Sequence, residues 1–193
     1  MLILALACAF AGPAPALEQV LALEPEATAI TFLLDATGHK VNGRLFLESG
    51  EIRFDLESGT ADGEVTIDAR RADTGNRRRD KTMHSKVLES ERYPLFSFRP
   101  TSIEGKMEAT EASTLTLTGM LALHGSEHPF SIPVRVEQDA DQVYATATFL
   151  VPYAEWGLHR PSVLFFKVAP VVEVRIEAKG SLATASGLER ALD

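Results

Sequence analysis

The chain has 193 residues, 45% of them hydrophobic and 24% charged, which supports one packed domain and excludes a disordered chain. A formal net charge of −8 excludes a general nucleic-acid binder, because such affinity comes mostly from neutralising phosphates. Cys8 is the single cysteine, which excludes a disulfide framework and a cysteine-built zinc or iron–sulfur site.

Residues 1–16 read MLILALACAFAGPAPA, an apolar run that ends in small residues. This is the pattern of a secretory signal peptide cut after Ala16. The run is shorter than the roughly 20 apolar residues of a membrane-crossing helix. The expectation is export to the periplasm or the exterior, with Cys8 leaving with the peptide; lipid modification of Cys8 is the alternative. The mature domain is expected over residues 17–180, followed by a small, polar, flexible tail over 181–193.

Along the mature chain, apolar residues recur with period two. Ile30, Phe32 and Leu34 form the first such run, and Ile52, Phe54 and Leu56 the second, followed by Val65 and Ile67. Later come Leu115 and Leu117, then Ile132, Val134 and Val136, then alternate positions from Val143 to Val151, then Val172, Val174 and Ile176. Alternation of this kind marks half-buried antiparallel strands. Turns are expected at Ser49-Gly50, Ser58-Gly59, Asp62-Gly63, His124-Gly125 and residues 139–141. One helix is expected over residues 80–89, with Asp80 as N-cap and Met83, Val87 and Leu88 on one face, as a lid or plug. About eight strands at this spacing predict an all-β protein, either a closed barrel or a sandwich.

Three segments invite a chemical reading. His124, Glu127 and His128 form H-x-x-E-H, which binds zinc only when both histidines share a helix face; here Gly125 and flanking strand patterns predict an exposed turn. Residues 70–86 carry Arg70, Arg71, Arg77, Arg78, Arg79, Lys81 and Lys86 against Asp73 and Asp80, a local charge of +5. This segment is either a solvated loop or a contact for anionic head groups or an anionic membrane surface, with Arg77, Arg78 and Arg79 as the contacting residues. Residues 151–162 form an aromatic loop around Trp156, either a plug over one barrel end or a rim touching a ligand. No nucleophile motif, phosphate loop or acid–base pair assembles from spacing, so no catalytic residue, metal or cofactor is expected.

The ordered set Thr74-Gly75-Asn76, Arg79-Asp80, Tyr93-Pro94 and the strand from Phe96 to Phe98 resembles the central signature of the YceI-like proteins. Phe32, Val41, Gly43, Gly50 and the strand from Ile52 to Asp55 agree upstream. Thr118-Gly119-Met120-Leu121, His124-Gly125, Pro129 and Glu155-Trp156-Gly157 agree downstream, so the resemblance spans about residues 28–178. It implies an antiparallel lipocalin-like β-barrel of about eight strands, export, a polyisoprenoid or other long apolar chain inside the barrel, and no catalytic residues. The family's histidine of the first loop has no clear counterpart, and the run from Arg77 to Arg79 is denser than usual.

On shared strand parity, Phe32, Phe54, Phe98, Leu117, Phe149 and Val174 are expected to line an apolar tunnel, with Trp156 at its rim. The expected function is an exported lipid carrier or sequestering protein. Its partners would be a long-chain lipid or isoprenoid and, transiently, an anionic membrane surface. A structural or stress-response barrel acting through a partner surface is the alternative, and an enzyme acting on a hydrophobic substrate is the third reading.

Overall fold

The computed structural model describes residues 18–108, 111–163 and 166–184. The expected signal peptide, Cys8 and residues 185–193 lie outside that range. The strands are β1 (Gln19–Leu23), β2 (Ala29–Ala36), β3 (His39–Leu45), β4 (Leu47–Asp55), β5 (Thr60–Asp68), β6 (Leu95–Gly105), β7 (Ser113–Leu123), β8 (Ser126–Asp139), β9 (Gln142–Val151), β10 (Ser162–Val163), β11 (Phe166–Lys167) and β12 (Val172–Thr184). All pairings are antiparallel, and the sheet closes because β12 pairs with β9 on one edge and with both β1 and β2 on the other. β12 runs on to Thr184, beyond the residue 180 at which the sequence reading ends the domain.

β1 and β2 lie end to end along β12, and β3 and β4 lie end to end beside them, so the wall has eight rows. The first break falls at Pro25, which has no N–H for a ladder and instead opens a short 3-10 turn, Pro25–Ala27. Eight rows leave an interior that side chains can fill or that can hold one ligand.

Two expected turns are not turns. Gly50 lies inside β4, where an added Cβ would come 2.7 Å from the Leu23 side chain; the glycine makes room for that leucine. Gly63 lies inside β5 at φ +109, where a Cβ would meet the Glu51 carbonyl oxygen at 2.2 Å, and the β5–β6 register shifts over this stretch. A glycine inside a strand pattern marks a bulge or a close approach as readily as a turn. The turns at Ser58-Gly59, His124-Gly125 and residues 139–141 do join consecutive strands.

The helix also differs from expectation. Asn76 caps it, its side chain accepting from the backbone N–H groups of Arg78 (3.1 Å) and Arg79 (3.2 Å). Helix α1 spans Arg77–Thr82 and passes into a wider π-helical turn over Met83–Val87. Asp80 cannot serve as the cap because its carboxylate accepts from both the backbone N–H and the hydroxyl of Thr74.

Candidate functional site

Inward-facing residues of the eight rows enclose two apolar cavities. The upper one, about 470 Å³, is lined by Phe32, Leu34, Val41, Leu45, Val172 and Val174 from the wall and by Met83, Val87 and Leu88 from the helical segment. The lower one, about 160 Å³, is lined by Phe54, Phe98, Leu117, Ile132, Ala145 and Ala178, among others. Ile67, Phe96, Leu121, Phe149 and Ile176 border both. The six residues expected along a tunnel are thus divided: Phe54, Phe98 and Leu117 below, Phe32 and Val174 above, and Phe149 at the junction.

The upper chamber is a composite. β5 pairs with β4 but ends at Asp68, so β3 has β2 as its one strand neighbour and the strand wall is incomplete at this end. The helical segment covers the gap. It is held by a braced loop: Arg44 and Asp73 exchange backbone hydrogen bonds of 2.7 and 3.0 Å, and their side chains pair at 2.7 Å. Asp73 also accepts from the Gly75 N–H at 2.7 Å, with Gly75 in the left-handed region at φ +73. The Arg44 guanidinium holds the Asp73 carboxyl below the usual carboxylate range, followed in effect by the Gly75 N–H.

Within this loop the three arginines part ways. Arg79 donates from Nε to the Thr74 hydroxyl (2.8 Å) and from Nη2 to the Thr74 carbonyl (2.8 Å), and it borders the upper chamber. Arg77 and Arg78 are exposed on α1 and line neither cavity. The sequence motif therefore encodes a fastening, Thr74 to Arg79 and Asp80, that spacing alone did not reveal.

The aromatic loop closes the same end of the barrel, but not through its tryptophan. Trp156 stacks on His128 (ring centroids 4.1 Å, planes 4° apart), stands edge-on to Phe130 at 5.7 Å, and lines neither cavity. The loop reaches the upper chamber through Tyr153, Leu158 and Pro161. Tyr153 is buried, donates its hydroxyl to the Ala169 carbonyl at 2.7 Å, and has its ionisation pushed up by burial.

His124 and His128 engage different partners. His124 (φ +53) and Gly125 (φ +79) form the β7–β8 turn, and the His124 ring packs on Tyr93 at 4.4 Å. Four residues on, His128 sits on β8 against Trp156. Among the described residues no group of three or more His, Cys, Asp or Glu is placed to hold a metal ion.

Solved structures share this architecture. Burkholderia cenocepacia BcnA is 16% identical with a TM-score of 0.67, covering 84% of this chain and 99% of that one. A polyisoprenoid binding domain from Saccharophagus degradans, implicated in plant cell wall breakdown, is 15% identical with a TM-score of 0.65, covering 84% and 98%. A Campylobacter jejuni YceI protein is 15% identical with a TM-score of 0.53, covering 72% and 80%. A search of curated proteins finds no match. The family model for the YceI-like domain matches residues 21–180, nearly the whole of the closed barrel, and the chain belongs to the YceI-like family.

Proposed function

We propose that the barrel binds a long apolar lipid, of polyisoprenoid or fatty-acyl type, and acts as an exported carrier or sequestering protein. The observation that carries this reading is the interior itself: two apolar cavities that meet across five shared side chains. A barrel whose role is structural has no need of such space, since protein interiors are otherwise close-packed. Membership of the YceI-like family and the likeness to a domain described as polyisoprenoid binding support the same reading.

The walls suffice for the task. Each methylene removed from water contributes about 0.8 kcal/mol, so a few isoprene units offset the cost of ordering the chain. Few polar anchors are required, and no catalytic group is. The head of the lipid would lie at the upper end, where Arg79, His39 and Thr82 are the polar and charged side chains on the lining beside Thr74 and Tyr153. Arg77 and Arg78, exposed on α1, would draw this end toward anionic membrane surfaces.

The protein should be purified without detergent from cells that export it, extracted into organic solvent and analysed by mass spectrometry. About one apolar lipid per chain is expected. Protein that is lipid-free and takes up no added prenol or fatty alcohol would overturn the proposal.

A further inference from the structure

The interior divides into two chambers that share part of their lining. Ile67, Phe96, Leu121, Phe149 and Ile176 line both the upper chamber of about 470 Å³ and the lower one of about 160 Å³. The lower chamber carries small side chains on its wall, Ala145 and Ala147 on β9 and Ala178 on β12; Ala147 lies directly across from Ile176 and Ala145 from Ala178. Val136 lies directly across from Ala145 and Val143 is the next inward position down β9; with Phe54 they are 5%, 2% and 5% exposed and pack in one cluster with Ile52, Ile103 and Leu115. The lower chamber is therefore a narrow apolar pouch with a packed floor.

Such a pouch is costly to leave empty, because an apolar void deprives its whole lining of contacts. Thr28 and Ser97 are the polar residues on its lining, too few to hold a chain of ordered waters. The three alanines keep the space open in strands that otherwise line this chamber with Val143 and Phe149 on β9 and Ile176 and Leu182 on β12. From Phe149 to Val143, β9 descends about 20 Å at roughly 3.4 Å per residue, or about 15 Å along an axis to which barrel strands tilt by about 40°.

Resting on the lipid-binding reading, we propose that the lower chamber receives the far end of the bound chain and that its floor sets the chain length the protein prefers. Ala145, Ala147 and Ala178 are then specificity-determining residues, and the shared lining around Phe149 holds the chain midway. Selection acts on the tail and is independent of the head group.

The test is a ladder of linear fatty alcohols lengthened one carbon at a time, titrated against lipid-free protein. Each added methylene should tighten binding about fourfold until the tip meets the floor, after which affinity stops rising. Ala145→Leu adds about three carbons to the pouch and should move that break to chains shorter by about three carbons, leaving still shorter chains unaffected. Ala145→Val adds about two carbons in a residue that strands favour, and should move the break by about two. A break that stays in place in either folded variant overturns the proposal, as does an equal weakening at every length. Failure of the wild-type protein to bind any chain would instead overturn the lipid-binding reading itself.

Discussion

Gly43→Ala is a sharp perturbation of the upper chamber. Gly43 on β3 lies directly across from Phe32 on β2, and a Cβ at position 43 would fall 2.2, 2.4 and 2.9 Å from Phe32 Cζ, Cε1 and Cε2. Carbon atoms settle at about 3.5 Å or more, so the ring must move by more than about 1 Å. The end of the ring reaches over the glycine, and the ring borders the upper chamber, which offers it room to move. Overpacking a closed core costs about 1–3 kcal/mol, and the free space beside this ring puts the loss of stability near about 1 kcal/mol. Binding should suffer more. A phenyl ring swung inward takes the room of about four methylenes, worth about 3 kcal/mol at about 0.8 each, or roughly 100-fold in affinity. Thermal unfolding and displacement of a fluorescent long-chain lipid measure the two effects separately. Adding Phe32→Leu to Gly43→Ala removes the ring and should restore most of the affinity. Wild-type affinity in Gly43→Ala would refute the reasoning, and a lower Tm with unchanged affinity would show that the strand gives way instead of the ring.

Other outcomes follow from the upper end and its loops. Arg79→Gln removes two hydrogen bonds to Thr74 and should cost about 1–2 kcal/mol in chemical denaturation. The double replacement of Arg77 and Arg78 by Gln should leave stability within about 0.5 kcal/mol, yet slow lipid transfer from anionic vesicles at low salt, with the difference fading as salt rises; equal destabilisation by both changes would contradict the distinct role of Arg79. Tyr153→Phe leaves the Ala169 carbonyl without its donor and should cost about 1 kcal/mol, with a wild-type Tm refuting that role. Asp55 is held low first by the Glu57 N–H, Asp68 first by the Arg70 guanidinium and Asp73 first by that of Arg44. Below their unfolded values of about 3.9 the unfolded chain binds protons first, so their stabilisation is complete above that pH and is lost as pH falls through the lower folded values. Tm should therefore hold from neutrality to about pH 5 and drop below about pH 4; a drop centred near pH 6 would implicate other groups.

Strand parity was legible in the sequence because the period of two is a local property. Phe54, Phe98, Leu117 and Phe149 face inward as alternation predicts. What alternation does not carry is register between strands. The five side chains shared by the two chambers come singly from β5, β6, β7, β9 and β12; of these Ile67 and Phe96 are direct cross-strand partners, whereas Leu121 stands opposite Phe98 and Phe149 opposite Val174. Glycines misled for a related reason: Gly50 and Gly63 resemble turn residues, but each answers to a neighbour that is distant in sequence, Leu23 and Glu51. The helix start was displaced because a hydrogen bond from Thr74 competes for Asp80, leaving the cap to Asn76. Trp156 is the least predictable of the site residues, since its neighbours His128 and Phe130 come from β8 and the loop reaches the chamber through Tyr153 and Leu158 instead.

The central claim, that the barrel interior holds a long apolar chain, is tested most directly by a crystal structure of the protein bound to a long-chain alcohol brominated along its tail. Anomalous bromine peaks are predicted inside the barrel, running from beside Phe32 and Val174 in the upper chamber to beside Phe98 and Leu117 in the lower one. Bromine bound only outside the barrel, or an interior closed by its own side chains, would contradict that claim.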